Sequence, residues 1–347
     1  MFKDILNTAH LKIATVRSII KMNDILRDMM FGNHQPFNSE EARDTRLTAL
    51  REHVPDKQEW EVYDHCAVVT RLYAIYERFV EALISEWLTL LPEIVAIYSD
   101  LADKIQTTHK MGVGQVLQSP NRFPNLSVIE IIQGLFDGEI GEQKYKLLNH
   151  AFLIHDENLR QGALVKLLAD AGIKDAWQWI VKHRSIKKFI NDHGKDIHVE
   201  DDLEQLIKFR NDAAHGEDDN DVLQSKELLI LADFVENLCQ ALAELVTYHV
   251  FLKKQSKNQV QSIGKITNWF NKPKAATAKL KNVTLSTQTR LFLVGEAYCR
   301  LAQIEGIRDN NNVSKERMDI TSETEVGLKF DIEAKKGLDL YILLEDE

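Results

Sequence analysis

The sequence predicts a mainly α protein: a helical bundle over about the first 255 residues, followed by a small antiparallel β domain. Three observations carry this. Two long segments, one beginning after Asp56 and one near Val222, repeat apolar residues at spacings of three and four. Close to the C-terminus the period changes to two. Between these regimes the stretch from Lys253 to Lys281 carries eight lysines and no acidic residue.

In the first segment Asp56 is a suitable N-cap, and the helix is expected to run to Leu91, before Pro92. Tyr63, Cys66, Val69, Tyr73, Tyr76, Val80, Leu83 and Trp87 form one apolar stripe. Such a stripe needs a partner helix. The best candidate is Val222 to Leu252, where Leu228, Leu231, Val235, Leu238, Leu242, Leu245 and His249 repeat the rhythm and Asn220 or Asp221 can cap. Shorter helices are expected at Ser127–Phe136, Gln143–Ile154, Asn158–Ala171 and Asp175–Lys182, and another from near Glu200-Asp201-Asp202. The stretch Thr107 to Asn125, with two glycines and two prolines in MGVGQVLQSPNRFPN, reads as a surface loop. It lacks the Gly-Lys-Ser/Thr of a phosphate-binding loop.

Leu328, Phe330, Ile332 and Ala334 alternate with charged residues, Lys335-Lys336-Gly337 offers a turn, and Leu338, Leu340, Ile342 and Leu344 alternate again. That pattern predicts a β-hairpin with one buried face. Further strands are expected at Asn282–Ser286, Thr289–Val294 and Tyr298–Ile304. The resulting division is a helical domain at 1–255, a basic linker at 256–281 and a β domain at 282–347. A domain of that size has a small core and is expected to pack on the helical body.

A net charge of −10 argues against a protein that coats nucleic acid without specificity. The apolar run from Cys66 to Tyr98 is interrupted by charged residues, which excludes a lipid-facing span, and the N-terminus has no signal-peptide layout. A cytoplasmic location is expected. The three cysteines show no CxxC pairing, and Cys66 and Cys239 fall on apolar faces as buried thiols. The 12 histidines include no HExxH or Cys/His zinc spacing, and His150/His155 and His193/His198 are five apart. No metal and no cofactor is expected.

The most informative motif is Arg210-Asn211-Asp212-Ala213-Ala214-His215-Gly216, at the end of an expected helix. A permanently charged guanidinium near an imidazole suits attack on RNA phosphodiesters. The Arg balances phosphorane charge, and the His moves the proton of the 2'-hydroxyl or of the leaving 5'-oxygen. The same residues also make an ordinary helix end: Gly216 is a natural C' residue, His215 suits the helix dipole, and Arg210 can pair with Glu204. Five helical residues advance the chain by about 140°, so Arg210 and His215 do not share a face unless the helix frays. A twofold dimer solves that geometry better. In the basic stretch, Lys265, Lys272 and Lys274 with Trp269 could grip phosphates and stack a base. Alternatively that stretch is a solvated linker whose Trp269 and Phe270 anchor on the helical body. The acidic Glu217-Asp218-Asp219 run opposes RNA locally, or is solvated loop.

The segments LYAIYERFVEALI, HDENLRQGALVKLLADAGI and DLEQLIKFRNDAAHG, followed by another long helix, resemble the HEPN superfamily, and more narrowly its RiboL-PSP-like branch. The resemblance covers most of residues 57–255. The family's Arg-x(4–6)-His signature maps onto Arg210 and His215 with the polar follower Asn211, and Glu77 sits where the branch commonly has an acidic residue. It implies a helical bundle, a homodimer and metal-independent endoribonuclease activity on tRNA or mRNA in toxin or anti-phage (abortive infection) systems. A separate antitoxin or activator protein would be the partner. In that frame His215 is the acid/base, Arg210 stabilises the phosphorane and Asn211 orients the phosphate or imidazole. A non-catalytic interaction module, and a nuclease kept latent by the β domain, remain the other two readings.

Overall fold

A computed structural model describes residues 1–32, 52–141, 144–155, 157–194, 198–215 and 221–344. For His215 the description is limited to the backbone. Helix α1 (Lys3–Phe31) packs on α2 (Lys57–Ile94), and the chain continues through α3 (Asp103–Gln118), α4 (Val128–Ile140) and the single turn α5 (Asn149–Phe152). Then come α6 (Gln161–Asp170), α7 (Ala176–Lys182), α8 (Arg184–His193), α9 (Val199–His215) and the long α10 (Ser225–Ser256).

The expected pairing of the two long apolar helices is present: α2 and α10 pack together, and α1 covers both. Asp56 caps α2 by accepting from the Gln58 N–H at 2.8 Å. The stripe is buried from Val69 through Tyr73, Tyr76, Val80, Leu83 and Trp87, whereas Tyr63 lies in the exposed first turns. Pro92 does not end α2, which runs two residues further. Helix α10 is capped by Gln224, in a reciprocal box with Glu227, rather than by Asp221; Asn220 lies outside the described residues. Its buried residues include Phe234, Val235, Leu238, Cys239, Ala241, Leu242, Ala243, Leu245 and Val246, so it is apolar nearly all round and forms the axis of the body. Cys66, expected to be buried, is half-exposed.

The expected loop at 107–125 is mostly helix α3. Glycine is a poor helix former, but Gly112 lies where α3 crosses α5, and a Cβ there would fall 2.1 Å from the Ala151 carbonyl oxygen. Close packing outweighs propensity at this crossing. The helix expected at Gln143–Ile154 shrinks to the turn Asn149–Phe152. Ser127 starts α4 with a capping box to Glu130.

The C-terminal region contains strands β1 (Val260–Phe270), β2 (Ala275–Leu280), β3 (Val283–Ser286), β4 (Arg290–Gly295) and β5 (Tyr298–Arg308). They continue with β6 (Ser314–Lys315), β7 (Arg317–Ile320), β8 (Thr324–Phe330) and β9 (Asp339–Leu343). The order β4-β9-β1-β2-β8-β5 closes through a β4–β5 pairing into an antiparallel barrel, with β6 extending β5 and β3–β7 forming a separate ribbon. The basic stretch 256–281 is therefore not a linker. Its alternation of Ile263 and Ile266, then Ala276, Ala278 and Leu280, fills the barrel interior, and the lysines between are outside. Gly264 sits at a bulge with φ +146, where a Cβ would meet the Lys279 carbonyl at 1.9 Å.

The two alternating segments at 328–344 contribute β8 and β9, but not as a hairpin. β8 pairs with β2 and β5, β9 pairs with β1 and β4, and the β1–β2 pair stands between them. The period gave the strand state correctly; barrel closure chose the partners.

Barrel and helical body share one packed seam. Leu291 and Leu293 of β4 face the barrel core while Phe292 faces the body, and Phe251 of α10 packs on Phe292 (5.6 Å) and Tyr341 (4.7 Å). Beside that seam Glu244 of α10 is 3% exposed. It accepts from both terminal nitrogens of Arg184, from Gln240 Nε2 at 2.7 Å, and lies 3.2 Å from His183 Nε2. Arg184 also covers the Tyr298 ring of β5, 4.3 Å from its centroid. Burial alone would raise the Glu244 carboxyl, but the Arg184 and His183 hydrogen bonds outweigh it and hold it at about 2. His183 is pushed down by burial despite that carboxylate, so Arg184 supplies the positive charge.

Glu244→Ala would strand Arg184 against the seam and is expected to cost about 3 kcal/mol, read as a lower urea midpoint. Because the folded carboxyl is depressed from 4.5 to about 2, the stabilisation by Glu244 is fully present above pH 4.5 and lost as pH falls towards 2. The Glu244→Ala protein should therefore show a shallower loss of stability across that window.

Candidate functional site

Three elements meet around Tyr73: helix α2, the connection from Leu153 to Arg160, and helix α9. On α2 the residues Tyr73, Glu77 and Glu81 recur every four positions, which places them along one side of the helix. Tyr73 is buried, and its hydroxyl donates to Glu77 Oε1 at 2.9 Å while accepting from the Leu159 N–H at 3.1 Å. The neighbouring Tyr76 hydroxyl donates to the Leu159 carbonyl at 3.0 Å. The two tyrosines thus satisfy both backbone groups of a buried loop residue and pin the connection to α2. Burial and the Glu77 carboxylate push the Tyr73 hydroxyl up to about 12, against the Leu159 bond, so it stays a donor.

Helix α9 lays Arg210 on this platform, with its guanidinium carbon 5.1 Å from the centroid of the Tyr73 ring. Arg210 donates to Asn211 Oδ1 at 3.1 Å, and the same oxygen accepts from Asn158 Nδ2 at 2.9 Å. Glu204, the alternative partner for Arg210, contacts Arg160 instead. Among the described residues no carboxylate lies within ion-pair distance of Arg210.

These groups line a cleft of about 600 Å³ formed by Glu77, His155, Glu157, Asn158, Arg160, Arg210 and Asn211. The structure therefore brings Arg210 and Asn211 together. Helix α9 is described as far as His215, whose side chain lies outside the described residues, as do Gly216 and the acidic run Glu217-Asp218-Asp219. None of the four basic-stretch candidates lines the cleft. Lys265 is on β1, 3.4 Å from Asp339. Trp269 is half-buried, stacks on Phe330 at 6.5 Å and donates to Asn271 at 2.7 Å, so it is a barrel residue rather than a free platform for a base. Lys272 and Lys274 are exposed at the β1–β2 turn.

The motif match pointed to Arg210 and Asn211 but not to their surroundings. In the sequence His155 stands out only as one of a pair of histidines five apart. Its Nδ1 lies 3.1 Å from the Glu157 carbonyl oxygen and its Nε2 lies 3.8 Å from Glu81 Oε1. Glu81 raises the proton affinity of His155, against the effect of partial burial, and the imidazole in turn lowers the Glu81 carboxyl. A readable signal is the pair Glu77 and Glu81, two carboxylates at i, i+4 on the same side of α2 as Tyr73. Among the described residues no group of three or more His, Cys, Asp or Glu could hold a metal.

The family model for RiboL-PSP-HEPN matches residues 40–248, a span that contains all of this site. The chain belongs to the RiboL-PSP-HEPN family. Membership places the helical body among modules that act as ribonucleases or bind nucleotides. The barrel lies beyond the matched span. No curated protein matches the chain. A solved structure, the C-terminal domain of a putative U32 peptidase from Geobacillus thermoleovorans, aligns at 15% identity with a TM-score of 0.21, covering 23% of this chain and 96% of that one. Among the described residues no helix is long and apolar enough to cross a membrane.

Tyr73→Phe removes the acceptor for the buried Leu159 N–H and is expected to cost about 1–3 kcal/mol, measured as a fall in Tm. The ring under Arg210 is kept. Local hydrogen exchange should therefore rise at Asn158–Arg160 rather than along α9.

Proposed function

We propose that this HEPN protein is an endoribonuclease that cleaves RNA by attack of the 2'-hydroxyl at a site built on Arg210, Asn211 and His215. The observation that carries this is the state of Arg210: its guanidinium rests on an aromatic face in an open cleft, and its neighbour Asn211 is held by Asn158. Among the described residues no carboxylate pairs with it, and a cation over a ring suits an anion, whereas a structural arginine is ordinarily consumed by a carboxylate.

In this mechanism His215 takes the 2'-hydroxyl proton, the 2'-oxygen bonds to phosphorus, and the P–O5' bond breaks with its electron pair going to the 5'-oxygen, which takes up a proton. Arg210 neutralises the charge that builds on the non-bridging oxygens, and Asn211 orients the phosphate. The products are a 2',3'-cyclic phosphate and a 5'-hydroxyl. Nothing in this chemistry requires a metal. A homodimer that brings two motifs to one groove fits the family layout, with tRNA or mRNA as substrate and a separate antitoxin or activator as the restraint. The toxin or anti-phage role is proposed on the family resemblance.

Purified wild type, His215→Ala and Arg210→Ala are incubated with total RNA in EDTA, and the new ends are mapped. Wild type should leave cyclic phosphate ends, and each substitution should lower the rate by about 100-fold or more with folding retained. Cleavage by His215→Ala at the wild-type rate would overturn the assignment.

A further inference from the structure

The cleft contains a second imidazole, and its surroundings differ from those of an ordinary structural histidine. His109, for comparison, is fully buried: its Nδ1 meets the Tyr98 hydroxyl at 3.1 Å, its Nε2 accepts from the Leu148 N–H at 3.0 Å, and burial holds it down at about 4. Both its nitrogens are committed and it stays neutral. Among the described residues, His155 makes one hydrogen bond, at Nδ1. The Glu157 carbonyl takes the Nδ1 proton, which fixes the ring and leaves Nε2 as the working atom. Glu81 lies 3.8 Å from Nε2, close enough to favour its proton and too far to bind it as a hydrogen bond.

We propose that His155 is the general acid of the reaction, delivering its Nε2 proton to the leaving 5'-oxygen while His215 serves as the base. The inference rests on the ribonuclease reading above and divides its two proton transfers between two histidines. As the P–O5' bond breaks, its electron pair goes to the 5'-oxygen, which takes the proton from His155; His215 already holds the proton of the 2'-hydroxyl. One proton is gained and one lost, so the pair must exchange them with solvent before the next turnover. Arg210, on the platform between α2 and α9, lines the same cleft as His155, and in this division of labour it holds the phosphate.

The charges around His155 come from every element of the cleft. Helix α2 supplies Glu77 and Glu81, the latter also paired with Arg78 at 3.7 Å. Helix α9 supplies Arg210, and the connection supplies Glu157 and Arg160. Glu81, Glu77 and the Glu157 carbonyl raise the proton affinity of the imidazole, against partial burial.

The test compares an RNA substrate with a ribonucleoside 3'-(4-nitrophenyl) phosphate, whose nucleoside is taken from the mapped cleavage site. The 4-nitrophenolate leaves without a proton, so a general acid is dispensable for it. His155→Asn should lower kcat/KM on RNA by about 100-fold and leave the aryl ester cleaved at the wild-type rate. His155→Ala, which also gives up the bond to the Glu157 carbonyl, should show the same split. A general acid works while protonated, so activity on RNA falls as pH rises through its pKa. Glu81→Gln should move that falling limb to lower pH. Equal losses on both substrates would overturn the acid role in favour of a positioning one. No loss on RNA, with His215→Ala inactive, would remove His155 and keep the parent reading. A wild type that cuts neither substrate would sink both.

Discussion

The need to cover α10 on all sides organises this molecule. Its middle turns are buried nearly all round, and such a helix cannot sit at a surface, so other elements enclose it. Helices α1 and α2 take part of its circumference, α7 and α8 another, and strands β1 and β5 meet it as well. The barrel is thus not an appendage on a flexible tether. Phe251, Phe292 and Tyr341 make its outer face continuous with the helical core, and the Glu244–Arg184 pair fixes polar groups beside that apolar seam.

The candidate site follows from what α2 does not bury. That helix buries 17 of its 38 residues, and Glu77 and Glu81 fall on a turn-to-turn row that leads to the connection before α6. Tyr73 joins the two roles. Its ring carries Arg210, while its hydroxyl links Glu77 to the backbone of Leu159. Packing and polar organisation are therefore coupled at one residue, and the cleft groups are held by a rigid helix rather than by loops alone.

Several parts were legible in the residues. The three-four rhythm identified α2 and α10 and their pairing, Asp56 marked a helix start, and alternation marked β8 and β9 as strands. The motif placed Arg210 and Asn211 side by side. Other parts were hidden for identifiable reasons. Gly112 looks like a breaker until Ala151 is seen pressed against it. The lysines of 253–281 dominate a local count, but they alternate with small and branched residues that fill a barrel. Asn158 and His155 acquire a role only when the connection bearing them is folded against α2 and α9.

The sequence by itself determined much of the local state, namely the two long helices with their apolar faces and the strands near the C-terminus, and it singled out the Arg210–His215 motif as a candidate site. These follow from periods of 3.6 and 2 and from side-chain types within a few residues. Tertiary structure alone decided partners across distance. It placed β8 and β9 apart because a closed barrel needs every edge paired, and it joined His155 to Glu77 and Arg210, which are far from it in sequence. Such contacts depend on the shape of surfaces that no local pattern encodes.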